Sequence, residues 1–103
     1  MTPAFLLTAA AEEDLRGIIR YTRTEFGEAQ ARRYAAKLNQ GIERMVSGDG
    51  RFTAMTEVHP GLRMARCERH YAFCLIREAE PALVIAILHE RMDLMVRLAG
   101  RLG

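Results

Sequence analysis

Several residue types are scarce or missing in this sequence. Its 103 residues include no tryptophan, two cysteines and one lysine, and the formal net charge is only +2. No apolar run approaches the roughly 18 residues that a membrane-spanning helix needs, and no charged-then-apolar leader opens the chain. Bulk charge this small does not indicate a nucleic-acid-binding protein. We therefore expect a cytoplasmic protein that contacts no membrane and binds no specific DNA directly.

The two cysteines, Cys67 and Cys74, are not expected to form a disulfide. They fall on two predicted strands that a tight turn at Glu68-Arg69 would join, which places Cys74 about four residue pairs beyond Cys67. At about 3.3 Å per residue, that offset exceeds the limit of about 7 Å for a disulfide. Reduced, half-buried thiols fit a cytoplasmic protein.

What is abundant is apolar residues and arginine. Half of the residues are hydrophobic and 27% are charged, as in a soluble globular protein, and the length suits one domain over residues 1–103. Fourteen of the fifteen cationic side chains are arginine. Arginine favours bidentate contacts with carboxylates or phosphates, but a genome rich in G and C produces the same bias. Both explanations remain open from the sequence.

The first half of the chain predicts a short strand followed by two helices. Residues 3–8 have strand character, and Thr8 can cap a helix whose first turns carry three acidic residues. Gly27 ends that helix, and a second one runs from Glu28 to about residue 47, with apolar positions at helical spacing. Two amphipathic helices joined so tightly form a helical hairpin.

The second half predicts strands at 62–67, 70–77 and 82–88 after a loop over 48–61. A short helix over 93–99 would follow, with Asp93 as its N-cap. The resulting order is β-α-α-β-β-β. This order predicts an α+β domain in which the helical hairpin packs on a mostly antiparallel sheet.

An ionisable cluster, His89-Glu90-Arg91-Met92-Asp93, directly follows the most apolar strand. A structural role would have Asp93 capping the last helix and Arg91 pairing with Glu90 or Asp93. A catalytic role for His89 as a general acid or base would need a second group of matched pKa, and none is identifiable. His70 and His89 could approach each other across adjacent strands, but two ligands do not make a metal site. We predict no metal and no cofactor.

A second cationic group consists of Arg63, Arg66, Arg69 and His70, on one predicted strand and its turn. It would form a cationic ridge on the sheet that could engage an acidic peptide or phosphates. Alternatively, it is a solvated edge strand that charge protects against aggregation. The sequence leaves both possibilities open.

Three blocks of the sequence together resemble the RelE/ParE toxin superfamily, and specifically its ParE branch, often described as plasmid-stabilisation proteins. The first block is Leu7–Ile18 (LTAAAEEDLRGI) with Tyr21 and Phe26-Gly27. The others are Pro60-Gly61-Leu62-Arg63 with Arg69-His70-Tyr71, and Ile87–Asp93 (ILHERMD), which is similar to the family's closing L-H-x-R-M/R-D pattern. The blocks occur in order and span nearly the whole chain.

The resemblance implies a helical hairpin on a curved sheet and a function as the toxin of a type II toxin–antitoxin module. A ParD-like antitoxin would hold it inactive in a hetero-oligomeric complex, and its target would be DNA gyrase, whose poisoning blocks replication. Such a toxin is not an enzyme. The alternatives are a RelE-like ribosome-dependent mRNA endonuclease and a non-toxic homologue that only binds antitoxin. The absence of Tyr and Lys from residues 92–103 argues against the endonuclease.

A groove with apolar walls and an arginine margin would receive the antitoxin tail as an amphipathic helix. The residues predicted to bind antitoxin or target are Leu15, Ile19, Arg63, Arg66, Arg69, His70, His89 and Arg91. The closing motif also has a predicted structural role, in which Arg91 and Asp93 pin the C-terminal segment against the sheet beside His89. No catalytic residue is predicted.

Overall fold

A computed structural model describes residues 3–103, and Met1 and Thr2 lie outside the described residues. The elements are β1 (Phe5–Leu7), α1 (Ala9–Phe26), α2 (Glu28–Ser47), β2 (Thr53–Ala54), β3 (Leu62–Cys67), β4 (His70–Leu75), β5 (Ala82–His89) and α3 (Leu94–Leu102). The sheet order is β1-β5-β4-β3-β2, with β1 parallel to β5 and the other pairs antiparallel. The predicted α+β class, helical hairpin and C-terminal helix are confirmed.

The structure differs from the prediction at several boundaries. The predicted loop over 48–61 contains β2, whose two residues pair with Met64 and Arg63 of β3. β4 ends at Leu75, two residues earlier than predicted, while α3 continues to Leu102. A two-residue strand such as β2 has almost no periodic signal, so its position is set by the strand it pairs with and not by its local sequence.

Caps fix the helical hairpin at its ends. The N-cap Thr8 accepts a hydrogen bond at Oγ1 from the Ala11 amide, with an N–O distance of 3.1 Å. Gly27 has φ +92°, a value that L side chains rarely adopt, and it reverses the chain between α1 and α2 without an intervening loop. The tight link keeps the two helices antiparallel and side by side on one face of the sheet.

The sheet separates two apolar clusters because successive side chains on a strand point to opposite faces. The face under the helical hairpin buries Leu38, Ile42 and Met45 of α2 against small and apolar strand residues such as Ala65 and Ala72. On the other face, α3 inserts its fully buried Leu98 into a second cluster, lined by Leu62, Phe73, Ile85 and Leu88. The helical hairpin and α3 therefore cover opposite faces.

β5 is paired with a neighbouring strand on both edges only in its first half. β1 pairs with Ala82, Leu83 and Val84 and then turns into α1, which leaves the backbone edge beyond Val84 without a strand neighbour. Asp14 of α1 fills this position, because its Oδ2 accepts a hydrogen bond from the Ile87 amide at 3.0 Å. Arg101 of α3 donates to the Ile85 carbonyl at 2.9 Å. The side chains of Asp14 and Arg101 thus satisfy backbone groups of β5 beyond the point where β1 ends.

The same two residues form a bidentate ion pair that links α1 to α3. Arg101 Nη1 and Nη2 lie 2.8 Å from Asp14 Oδ2 and Oδ1 respectively. The side chains are only 24% and 15% exposed, so this pair is shielded from solvent far more than the other ion pairs of residues 3–103. The hydrogen bonds that Arg101 donates to Asp14 raise the pKa of Arg101 further. The contact fixes the C-terminal helix to the first helix.

Both thiols are free, as predicted, but they are buried rather than half-buried. Cys67 pairs with His70 across the two-residue turn, and Cys74 pairs with Arg63 near the other end of the two strands. Burial raises the pKa of Cys74 to about 11 and also raises the pKa of Cys67, so both stay protonated at neutral pH and are poor nucleophiles. No helix within residues 3–103 combines the length and apolar character that crossing a membrane requires.

Candidate functional site

The predicted cationic ridge does not form on one surface, and that part of the prediction is wrong. Arg63 and Arg66 are three residues apart on β3, so the strand alternation sends their side chains to opposite faces of the sheet. Arg63 points under the helical hairpin with Ala65 and Cys67, whereas Arg66 lies on the face that carries α3. The turn separates Arg69 from both.

Arg63 instead completes the end of α2. Its Nη1 donates to the carbonyl oxygens of Met45 and Val46 at 2.9 and 3.2 Å, which satisfies two of the last helical acceptors. The guanidinium carbon lies 4.4 Å from the centroid of the Phe52 ring, a cation–π distance. Arg63 therefore has a structural role at a helix end that the sequence did not predict.

Arg66 is exposed and paired with the closing cluster. Its Nη2 lies 3.0 Å from Glu90 Oε2, and its Nε donates to the Glu68 carbonyl. The prediction that Glu90 or Asp93 pairs with Arg91 is wrong, because Glu90 already pairs with Arg66 and Asp93 accepts the Val96 amide as the N-cap of α3. The cap itself is confirmed. Arg101, not Arg91, pins the C-terminal segment to the rest of the protein.

A cleft of about 680 Å³ opens between the helical hairpin and the adjoining ends of β4 and β5. It brings together four of the eight predicted binding residues: Arg69, His70, His89 and Arg91. Seven side chains of the two helices form its other wall, namely Asp14, Ile18, Tyr21, Thr22, Phe26, Gln30 and Tyr34. We call this feature the His–Arg cleft.

Tyr34 and His70 form the half-buried base of the His–Arg cleft. Tyr34 Oη accepts the Arg69 amide at 3.1 Å, so its own hydroxyl proton is directed to His70 Nδ1, 2.7 Å away. Burial, reinforced by the neighbouring His89, lowers the pKa of His70 from 6.5 to about 4, while burial raises the pKa of Tyr34. At neutral pH both are uncharged, and the network assigns the remaining imidazole proton of His70 to Nε2.

His89 stands beside His70, as the sequence analysis anticipated. The two residues are direct partners in the β4–β5 ladder, and their rings meet edge to face with centroids 5.1 Å apart. His89 Nδ1 accepts the Arg91 amide at 3.1 Å, which leaves the proton on Nε2. Residues 3–103 contain no group of three side chains placed to share a metal ion.

The charges around the His–Arg cleft are unbalanced in favour of cations. Its one carboxylate, Asp14, is held by Arg101, and the nearby Glu68 and Glu90 are paired with Lys37 and Arg66. Arg69 and Arg91 are exposed, and neither forms an ion pair with any residue in the described part of the chain. Two guanidinium groups are therefore available to a ligand.

A smaller apolar depression lies elsewhere on the helical hairpin. It measures about 250 Å³ and lies between β1 and the two helices, lined by Phe5, Leu7, Leu15, Ala35, Leu38, Asn39 and Ile42. Of the predicted binding residues it contains Leu15 alone. Ile19 is half-buried and lines neither the depression nor the His–Arg cleft.

Comparison with known proteins adds to this geometry. Residues 5–94 match the sequence model of the family described as the ParE toxin of the type II toxin–antitoxin system parDE. The chain belongs to this family. It is 70% identical over 99 residues to Toxin ParE of Escherichia coli, covering 96% of each chain. It is 30% identical over 93 residues to Toxin ParE1 of Mycobacterium tuberculosis, covering 90% of this chain and 95% of the relative.

A solved structure supports the ParE-type fold independently of close sequence similarity. The chromosomal ParDE toxin–antitoxin system of P. aeruginosa contains a chain that aligns with a TM-score of 0.65 at 17% identity. The alignment covers 84% of the present chain and 94% of that chain. At this level of identity the match establishes the fold. The recognition of the family from three short sequence blocks is confirmed.

Proposed function

We propose that this ParE family member is the toxin of a type II module and arrests growth by poisoning DNA gyrase, with a ParD-like antitoxin as its partner. The observation that carries the proposal is the 70% identity to Toxin ParE of E. coli over 96% of both chains. Similarity over nearly the full length of both chains supports a shared role. Because gyrase acts on chromosomal DNA, this function places the protein in the cytoplasm.

An in vitro supercoiling assay with purified gyrase tests the target. We expect the protein to inhibit supercoiling and to accumulate cleaved DNA, and we expect antitoxin to reverse both effects. Unimpaired supercoiling at toxin concentrations that stop growth would remove gyrase from the proposal. A growth assay without antitoxin is the matching control, since unaffected growth would identify a non-toxic homologue that retains only antitoxin binding.

We place an apolar anchor of the antitoxin in the depression between β1 and the helical hairpin. Its lining is almost wholly apolar, and the neighbouring Leu6 is 45% exposed on an edge strand. An amphipathic helix from the antitoxin would bury side chains there, as helices do in apolar grooves. The exposed cations Arg66 and Arg69 would then meet acidic antitoxin residues and contribute specificity.

Ala35 and Ala36 provide a matched pair for testing the depression, because only Ala35 lines it and Ala36 is exposed beside it on α2. Ala35→Glu places a charge where an apolar group would dock, so we expect antitoxin affinity to fall about tenfold or more, equivalent to about 1.4 kcal/mol. Ala36→Glu should leave the affinity within about twofold. Equal affinities of the two variants, measured by calorimetry, would exclude the depression as the anchor.

A ribonuclease is the second candidate, since the His–Arg cleft holds two histidines, two tyrosines and two arginines that form no ion pair within residues 3–103. Against it, His70 with a pKa of about 4 is a weak base at neutral pH, and Tyr34 has a raised pKa. We therefore propose binding without hydrolysis. Mapping mRNA ends after toxin expression tests this: ribosome-dependent cuts that disappear in His89→Gln, with gyrase still active, would establish the ribonuclease instead.

A further inference from the structure

The His–Arg cleft has features that neither the core nor the proposed antitoxin anchor explains. Tyr21 and Phe26 expose 64% and 67% of their surface, although both belong to the helix that covers the sheet. Opposite them, Arg69 and Arg91 have no carboxylate partner among the described residues. Exposed aromatic rings and unpaired guanidinium groups on the walls of one cleft are unusual unless a ligand uses them.

The cationic wall is suited to a phosphate group. Guanidinium groups bind phosphate oxygens through paired N–H donors, and Arg69 and Arg91 supply two such groups. His70 and His89 each use Nδ1 as an acceptor, so the Nε2–H groups of both rings add two donors beside the arginines. Arg101 neutralises the single carboxylate, Asp14, so no free negative charge on the cleft wall repels an anion.

The opposite wall is suited to a flat aromatic group. Tyr21 and Phe26 lie on α1 with Ile18, and all three line the cleft. Exposed aromatic faces attract nucleobases by stacking, which is tolerant of base identity. The cleft volume of about 680 Å³ also falls within the range of sites that bind compact ligands.

We propose that the His–Arg cleft binds a nucleotide, with its phosphate at Arg69 and Arg91 and its base against Tyr21 and Phe26. The ligand is either a free mononucleotide or one nucleotide of a single strand, since both present a phosphate beside an aromatic base. An acidic peptide fits less well, because a docked helix needs apolar contacts along a groove and the cleft has only one apolar wall. This inference does not depend on gyrase or on the antitoxin anchor.

Titration of isotope-labelled protein, followed by amide NMR, tests the proposal with defined probes. The probes are adenosine monophosphate, a thymidylate decamer, adenosine and inorganic phosphate. We expect the monophosphate or the decamer to shift amides around residues 21, 69 and 89–91. Adenosine and phosphate should each bind about tenfold more weakly, because each has lost one half of the contact.

Substitutions test the contribution of each wall of the cleft to nucleotide binding. The double variant Arg69→Gln/Arg91→Gln and the variant Tyr21→Ala should each weaken nucleotide binding about tenfold or more. Arg97→Gln, an exposed arginine of α3 outside the cleft, should leave it unchanged. A thermal unfolding midpoint equal to that of the wild type shows that each variant is folded. Gyrase inhibition can be measured on the same samples, and its outcome is independent of whether the cleft binds nucleotide.

The two ligand sources give different results. If a single strand is the ligand, the decamer should bind more tightly than the monophosphate and weaken more steeply with added salt. If a free nucleotide is the ligand, the monophosphate should bind at least as well as the decamer. The proposal is overturned if neither probe shifts cleft amides at millimolar concentration, or if phosphate alone binds as well as either. It is also overturned if the Arg69→Gln/Arg91→Gln variant binds nucleotide as tightly as the wild type does. If only an acidic antitoxin peptide competes for the cleft, the cleft belongs to a protein partner.

Discussion

The Asp14–Arg101 contact and the cationic wall of the His–Arg cleft place the same kind of side chain in opposite situations. Arg101 has a bidentate carboxylate partner and a backbone carbonyl, and it is 24% exposed. Arg69 and Arg91 are exposed near the same strand, with no carboxylate partner within residues 3–103. The difference teaches that a shielded ion pair stabilises the middle of β5, whereas the cations beside its C-terminal end are available for contact.

Breaking the Asp14–Arg101 contact should have the largest effect on the free energy of unfolding. Asp14→Ala removes both the ion pair and the acceptor for the Ile87 amide, so it leaves a poorly solvated guanidinium without its carboxylate. We expect the free energy of unfolding to fall by about 3 kcal/mol. Urea denaturation measures it, and Arg101→Met in the same background should cost much less than it does in the wild type.

Glu13→Ala serves as the control, because Glu13 pairs with Arg16 on the exposed face of α1. Pairs of this kind contribute less than about 1 kcal/mol. A loss below about 1 kcal/mol for Asp14→Ala as well would show that the contact is no more stabilising than an exposed ion pair.

Two glycines contrast the packed side of the helical hairpin with its open side. A methyl group on Gly41 would overlap the Cys67 thiol on β3, whereas one on Gly17 would meet no atom within 4 Å. We expect Gly41→Ala to destabilise the fold by about 2 kcal/mol and Gly17→Ala to stabilise it by up to about 1 kcal/mol. Thermal unfolding distinguishes the two. Similar effects of both substitutions would mean that α2 shifts to accommodate the methyl group.

The pH dependence of stability tests the half-buried base of the His–Arg cleft, where His70 lies. The pKa of His70 is about 4 in the folded protein and 6.5 ordinarily, so the unfolded chain binds a proton first as the pH falls. The stability that neutral His70 contributes is therefore present above pH 6.5 and is lost between about 6.5 and 4. Besides His89, which opposes protonation, Glu90 and Asp14 act on His70 in the opposite direction.

His70→Gln should remove this component of the pH profile, while His59→Gln, in the loop between β2 and β3, should not. Denaturation curves recorded across this pH range measure the difference. If the profiles of His70→Gln and the wild type run parallel from pH 6.5 to 4, His70 does not carry the effect.

Much of the fold followed from local sequence signals. Thr8 and Asp93 were identified as caps, and the two-residue turn at Glu68-Arg69 fixed the register that brings Cys67 opposite His70. Caps and tight turns are local, so a single sequence contains what determines them. The two-residue β2 was missed because its register depends on β3.

The candidate site was less predictable because its contacts are distant in sequence. Asp14 and Arg101 are separated by 87 positions, and Tyr34 reaches His70 across 36. No periodicity or motif links such residues. The division of Arg63 from Arg66 is different, because their odd spacing on a strand already predicts opposite faces. There the signal was present in the sequence and was overlooked.

The parallel pairing of β1 with β5 determines when the protein can become complete during synthesis. β1 leaves the ribosome first, yet its partner residues Ala82–Val84 are made about 75 positions later, and Arg101 follows later still. A nascent chain that ends before residue 82 has two helices and no closed sheet. The His–Arg cleft, which β5 lines with Ile87 and His89, is therefore complete only after β5 has been synthesised.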